Sequence, residues 1–322
     1  MALRPLENDL VKYRTMPVVS NDGSANHAQP SPQVTLETIC VRVLKRCNLI
    51  CGHCWAASSP HEVEELRWLD VSTFLRRLVA TGLKHVSISG GEPFLYGDLP
   101  RAIHESLEMG LHVTVTTNGY MGHRYARRME TEQLPTSPKL RVRVSLDGSE
   151  EIHDKLRGAG SYKRAIDAIA AIRNHHGWVG VNTVLLSQPQ PSLTSLCVAL
   201  RDLRVNDWAL MAPLPKGHFR GKIVDAKAAC DSVDSARLIS KQVGFHGRIR
   251  FWNFLIREHG HLVLESDGRL VMPGYTEATD KCIGDFRSVS TDALGMAVIH
   301  DANLADCEFY TWGGWRPSVE ST

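Results

Sequence analysis

The feature that most constrains this chain is a repeated alternation of short β-rich runs with amphipathic helices. "TICVRVLK" (38–45) reads as a strand, and "STFLRRLVATG" (72–82) as a helix with Phe74, Leu75, Leu78 and Val79 on one side and Gly82 as its stop. "KHVSISG" (84–90) is a strand, "GDLPRAIHESLEMG" (97–110) contains a helix, and "LHVTVTTNG" (111–119) is the next strand. The pattern continues with strand 140–148, helix 161–176, strand 179–187, helix 192–203 and strand 207–213. Parallel strands need crossover connections, and helices supply them, so six such strands predict a parallel sheet. Six units over about 175 residues fit an α/β fold with a partial (β/α)6 TIM-like barrel better than the closed eight-unit form.

The flanks read differently. Residues 1–35 include "SNDGSANHAQPSPQ", polar and rich in breakers, which predicts a flexible N-terminal arm. After residue 213 the alternation stops, and "HLVLESDGRLVMP" (261–273) reads as a hairpin with Asp-Gly at its turn. The expected organisation is therefore a barrel over 36–213 and a small C-terminal α+β extension over 214–322 that covers its open side or mouth. Lys+Arg 37 against Asp+Glu 35 leaves a net charge of +2, which gives no footing for nucleic acid or an anionic membrane. The first thirty residues carry charges throughout and lack the apolar stretch of a signal peptide. No run reaches the roughly 18–20 apolar residues of a span. The expectation is a cytoplasmic protein with no nucleic-acid or membrane partner.

The polar motifs fall at strand ends. "CNLICGHC" (47–54) follows the first strand, "GGEP" (90–93) the second, "TTNG" (116–119) the third and "SLDG" (145–148) the fourth, while Asn182 lies in the fifth. A parallel barrel builds its active site at the C-terminal ends of its strands, so these motifs should converge. Of the eight cysteines, Cys40, Cys197, Cys230, Cys282 and Cys307 are scattered, whereas Cys47, Cys51 and Cys54 are crowded on one loop. In a reducing compartment that cluster points to metal or redox chemistry. A structural zinc site wants four ligands, which His53 or His61 would have to complete. An iron–sulfur cubane instead takes a thiolate at each iron, so three thiolates leave one iron open.

The C-x3-C-x2-C spacing resembles the signature of the radical S-adenosylmethionine (SAM) enzymes. The resemblance extends in order through "GGEP", "TTNG", "SLDG" and "EIHDKLRGAGSYKRAIDAI" and covers about residues 38–213. It implies one 4Fe–4S cluster on Cys47, Cys51 and Cys54, with SAM chelating the open iron. By position it implies that the His53 backbone touches the adenine and that Gly90 and Gly91 let the backbone approach the methionine moiety. Glu92 would accept a hydrogen bond from its ammonium. Asn118, Ser145 and Asp147 would contact the ribose or the methionine end, and Arg157 the carboxylate. The chemistry implied is reductive cleavage of SAM to a 5′-deoxyadenosyl radical that abstracts a hydrogen atom from substrate, with a flavodoxin- or ferredoxin-type electron donor.

The strand-end motifs also resemble the subgroup with SPASM or Twitch extensions, whose hairpin has the form "DG.v.pC". Here the hairpin reads "DGRLVMPGYTEATDKCIGDF", with Met272, Pro273 and Gly274 where the ligand cysteine is expected. A vestigial extension without an auxiliary cluster follows, and with it redox-neutral chemistry such as decarboxylation or epimerisation, with Cys282, Cys307 or Tyr275 as candidate hydrogen donor. Peptide-modifying relatives carry an additional recognition domain for which the arm before Cys47 is too short. That favours a small polar metabolite, and Lys216, His218, Arg220, Lys222, Arg248, Arg250 and Trp252 suit a carboxylate or phosphate with a flat or sugar ring. The architecture is similar to single-cluster enzymes of antibiotic biosynthesis acting on aminoglycosides or nucleoside sugars, such as the cytosylglucuronate decarboxylases. A peptide epimerase or crosslinker, and more distantly a non-enzymatic zinc-binding barrel, are the alternatives.

Overall fold

The computed structural model describes residues 36–120, 134–186, 188–252, 262–290 and 294. The expected N-terminal arm (1–35) and Cys307 lie outside the described residues. Strands β1 (Thr38–Arg42), β2 (His85–Ser89), β3 (His112–Thr117), β4 (Leu140–Ser145), β5 (Gly180–Val184) and β6 (Asp207–Met211) pair in chain order, all parallel. Helices α1 (Trp68–Val79), α2 (Leu99–Glu108), α3 (Glu150–Arg157), α4 (Ser161–His176) and α5 (Gln190–Asp202) fall between them. Helix α1 shows why the elements form: Trp68, Val71, Phe74, Leu75 and Leu78 recur at helical spacing and are all buried.

The strands divide their side chains by the period of two. Val86, Ile88, Val113, Val115, Val142, Val144 and Val181 turn into the apolar core. Ser87, Thr114, Arg143, Asn182 and Asp207 are buried polar residues that alternate with them. Arg143 and Arg250 both pair with Asp207, at 2.7 Å each.

Two expectations change beyond residue 213. The alternation does not stop there. Helix α6 (Ala226–Val243) and strand β7 (Arg248–Trp252) add a seventh unit, with β7 parallel to β6. The signals for α6 are ordinary: the Asp225 carboxylate accepts from the Ala228 N–H at 2.9 Å, and Gly244 ends the helix. Strand β7, "RIRFW", hides behind its two arginines. The hairpin of β8 (Leu262–Leu264) and β9 (Arg269–Met272) does form, but it extends the sheet. Strand β8 pairs parallel with β1, and β10 (Lys281–Asp285) lies outside β9. The result is one ten-stranded open sheet, in the order β10-β9-β8-β1-β2-β3-β4-β5-β6-β7, a partial TIM-like barrel. The C-terminal ends of β8 and β1 therefore open onto the same face. No described helix is long and apolar enough to cross a membrane.

Candidate active site

At the C-terminal ends of the parallel strands lies a cavity of about 1030 Å³ with its open mouth included. Cys47, Cys51, Cys54, His53, Gly90, Gly91, Asn118, Ser145 and Arg157 all line it, as does Asn182. The expected convergence of five strand ends is thus met. Glu92, Asp147 and Cys282 are not among its walls.

Hydrogen-bond donors point at the cysteine sulfurs. The Leu49 N–H and the Asn118 side-chain amide donate to Cys47 Sγ at 3.5 and 3.6 Å, and Arg157 approaches Cys51 Sγ at 3.9 Å. Burial pushes the Cys47 thiol up to about 12, and the Cys51 thiol up to about 11 against the opposing pull of Arg157. Among the described residues no three His, Cys, Asp or Glu side chains converge on one point that could hold a single ion.

Arg157 is held by Asp147. Its Nε donates to Asp147 Oδ2 at 2.5 Å, and a terminal nitrogen lies 3.1 Å from His53 Nε2. Asp147 is fully buried behind it and also accepts from the Val184 N–H at 2.9 Å. Burial would raise its carboxyl, but Arg157, His53 and His153 outweigh that and hold it well below the usual range. Asp147, expected to contact the ligand, has a supporting contact here: it fixes Arg157, and Arg157 lines the cavity. Burial lowers His53 to about 4, so its ring is neutral, and its Nδ1 has no hydrogen-bond partner among the described residues. Thr116 Oγ1, also in the cavity wall, is likewise unpartnered.

Glu92, expected to accept from the ammonium of SAM, has bonds within the fold as well. It is fully buried, and its oxygens accept from the Phe94 N–H (3.1 Å), the Thr117 hydroxyl (2.7 Å) and the Asn118 N–H (2.7 Å). It ties the "GGEP" turn to the end of β3. The glycines are needed by the protein itself: a Cβ on Gly91 would stand 2.1 Å from the Arg46 carbonyl oxygen, and one on Gly90 2.3 Å from that of Leu44. The turn thus packs against the chain that leads into Cys47.

Cys282 is exposed on β10, away from the cavity walls, so the structure does not support it as a hydrogen donor there. His218, expected to face substrate, packs on the cysteine loop: its N–H donates to the Cys54 carbonyl at 2.9 Å, and its Nδ1 shares a hydrogen bond with the Cys51 carbonyl at 3.0 Å. Arg250 is occupied by Asp207, and Arg220 by Glu277 at 3.0 Å. Trp252 does line the cavity, with Trp55, Met211 and Leu214, which had not been singled out at these positions apart from Trp252. Trp55 directly follows Cys54, and only the placement of the loop reveals it.

The sequence model of the radical SAM superfamily matches residues 41–189, the stretch that carries every one of these walls from the cysteine loop through β5. Residues 41–189 are a radical SAM domain. Over 134 residues it is 36% identical to the Fe-coproporphyrin III synthase of Methanosarcina barkeri, a match covering 41% of this chain and 31% of that protein. It is 30% identical over 132 residues to the mycofactocin maturase MftC of Mycolicibacterium smegmatis, covering 40% of this chain and 32% of the relative. A probable GTP 3′,8-cyclase of Methanopyrus kandleri is 31% identical over 182 residues, covering 56% and 57%. The chain spans about a third of the length of the first two relatives. In fold it is similar to anSMEcpe, solved with AdoMet and the Cp18Cys peptide (TM-score 0.64, 15% identity, 82% and 81% of the two chains). Streptococcus suis SuiB bound to S-adenosylmethionine gives a TM-score of 0.62 at 15% identity over 81% and 65% of the two chains.

Radical SAM proteins carry a 4Fe–4S cluster and SAM. The residues present suit both. Three thiols share one loop, and two of them, Cys47 and Cys51, receive N–H donors at sulfur, as cluster ligands do. Two buried polar atoms without a partner among the described residues, His53 Nδ1 and Thr116 Oγ1, belong to residues of the same wall.

Proposed function

We propose that this chain is an enzyme that holds its 4Fe–4S cluster on Cys47, Cys51 and Cys54 and binds SAM against Gly90, Gly91, Asn118, Ser145 and Arg157, to act on a small polar metabolite. Cluster and SAM together supply one-electron cleavage of the sulfonium and a hydrogen-abstracting 5′-deoxyadenosyl radical. The observation that carries the reading is the cysteine loop, with its sulfur-directed donors, set in the wall of the large cavity. The protein's own contribution is positioning: Asp147 fixes Arg157, Glu92 fixes the end of β3, and His218 fixes the loop carbonyls. A flavodoxin- or ferredoxin-type donor would supply the electron.

The hairpin supports a SPASM- or Twitch-related origin without an auxiliary cluster. At position 274, where a ligand cysteine is expected, a Cβ would lie 2.1 Å from Thr279 Oγ1, so no side chain fits. A single cluster suits redox-neutral chemistry such as decarboxylation or epimerisation, of the kind performed on sugars or nucleosides. A second reading, modification of a peptide, is favoured by the likeness to a mycofactocin maturase and to the sporulation killing factor maturation protein SkfB, 29% identical over 133 residues.

Anaerobic reconstitution followed by dithionite and SAM should give about four irons per chain and 5′-deoxyadenosine, both lost in Cys51→Ala. Zinc in place of iron would overturn the reading, and about eight irons would overturn the single cluster. Conversion of a precursor peptide would decide for the second reading.

A further inference from the structure

A second cavity, about 790 Å³ with its open mouth included, adjoins the first and shares Trp55, Ala56 and Gly90 with it. It lies where the C-terminal ends of β1 and β8 meet the 274–280 turn, and its walls include Arg42, Ser58, Lys216, Glu265 and Asp280. Its hydrogen-bonding capacity is unbalanced. Ser58 is 2% exposed, yet its hydroxyl has no partner among the described residues. Lys216 is 3% exposed, and its ammonium meets Asp280 alone among hydrogen-bond acceptors of the described residues, which leaves donors over. Arg42 gives both its bonds, 3.0 and 2.8 Å, from one nitrogen to Glu265. Its other two nitrogens make no bond to a described side chain or carbonyl, and its guanidinium lies 4.1 Å over Trp55.

The five acids of the same walls are already matched: Glu64 accepts from the Ser266 hydroxyl at 3.2 Å and Asp267 pairs with Arg269 at 2.6 Å. Glu265 is taken by Arg42. Asp280 takes Lys216 and the Gly274 N–H at 2.8 Å, and Glu277 takes the Gly217 N–H at 2.9 Å and Arg220. What remains over is donors, carried on three side chains at least nine-tenths buried. Buried donors left without acceptors are costly, and an oxyanion satisfies several at once.

We propose that this cavity is an oxyanion subsite, in which Arg42, Lys216 and Ser58 anchor a carboxylate or phosphate of the substrate beside the cysteine-lined cavity. The inference rests on the reading of the chain as an enzyme of small polar metabolites and specifies which group of the metabolite is held. Trp55, wall to both cavities, is the partition across which the anchored molecule extends.

The test is isothermal titration of the reconstituted full chain with inorganic phosphate and, separately, with malonate at low ionic strength. The wild type should bind at least one of them saturably, and the preferred one identifies the oxyanion as phosphate or carboxylate. Lys216→Gln and Arg42→Lys should weaken that binding tenfold or more. Ser58→Ala removes only an unpartnered hydroxyl, so the fold should tolerate it, and it should weaken binding about threefold. Absence of saturable binding by the wild type, or binding that Ser58→Ala and Lys216→Gln both leave unchanged, overturns the subsite. The same preparations are assayed for 5′-deoxyadenosine. Cleavage of SAM without oxyanion binding sinks the subsite alone, and variant-sensitive binding without cleavage sinks the enzymatic reading alone.

Discussion

Arg42 and Arg143 are both buried arginines of one sheet, and they are wired in opposite ways. Arg143, in β4, has an acceptor at every nitrogen: Asn182 Oδ1 at 2.6 Å, Asp207 Oδ1 at 2.7 Å and the Val181 carbonyl at 2.9 Å. Arg42, at the end of β1, uses one nitrogen on Glu265 and turns the rest toward a cavity. Burial lowers Arg143 to about 10, with Arg250 and Arg141 adding to the effect against Asp207. Arg42 is raised, because Glu265 and the nearby thiols outweigh its burial. Burial is common to both; satisfaction is what differs. A saturated arginine closes a network within the barrel, and an unsaturated one at a strand end faces a ligand.

The largest effect is expected from breaking the closed network. Arg143→Met leaves Asn182 Oδ1 and the Val181 carbonyl without their donor and removes one of two cations from Asp207. It should cost about 3–5 kcal/mol, as removal of one partner of a buried pair does. Thermal unfolding should then shift down by roughly 6 °C or more, while iron uptake by the folded protein persists. A stable Arg143→Met that has lost oxyanion binding would reverse the assignment of the two arginines.

The contrast also marks what could be read in the sequence. The strand ends carrying the cysteines, "GGEP" and "SLDG" were legible because period-two alternation places strands without any tertiary information. Arg42 was not, because its partner Glu265 is 223 positions away and meets it only when β8 lies down beside β1. Ser58 and Trp55 were invisible for a related reason: they belong to a loop whose path is set by contacts with 216–218. Glu92 and Asp147 were found by motif, but their supporting hydrogen bonds within the fold were not. Nothing in a motif says whether a carboxylate faces a cavity or ties two strand ends together. The seventh unit was missed although Asp225 and Gly244 frame its helix, because two arginines in "RIRFW" mask the strand's apolar character.

Gly91→Ala probes the mouth from the packing side. Its Cβ would meet a backbone oxygen at 2.1 Å, and backbone yields less easily than a side chain. A loss of about 3 kcal/mol, the upper end for overpacking, should come with reduced iron loading, since the Arg46 carbonyl it displaces precedes Cys47. Unchanged iron content in urea-matched samples would mean that the turn does not brace the cysteine loop.

Acidification probes the closed interior. His85 shares a hydrogen bond with the Thr114 hydroxyl at 2.9 Å, and burial, with His112 and Arg141 adding to it, lowers it to about 3. It is neutral in the fold, whereas in the unfolded chain it takes up a proton near pH 6.5. The unfolded state therefore binds more protons between pH 6.5 and 3. The stability associated with His85 is present above 6.5 and falls as pH drops through that window, by about 2 kcal/mol at pH 5. Urea melts at pH 7 and pH 5 should show this difference, and His85→Leu should reduce it. An unaltered pH slope in His85→Leu would mean that another group governs the acid limb.

Cys282 belongs to neither network, and its replacement should have the smallest effect. It is exposed on β10, paired in register with Val271, and Cys282→Ala should change stability by no more than about 0.5 kcal/mol. SAM cleavage and product formation should be unchanged. Product loss with cleavage retained would have a different meaning: the cysteine would reach the substrate radical through a movement of β10 and its flanking turn. The wall formed by Lys216 and Asp280 would then have to open during turnover, because Asp280 immediately precedes the strand that carries Cys282. Oxyanion affinity measured in Cys282→Ala separates the two cases, since a static edge strand leaves it unchanged and a moving one does not.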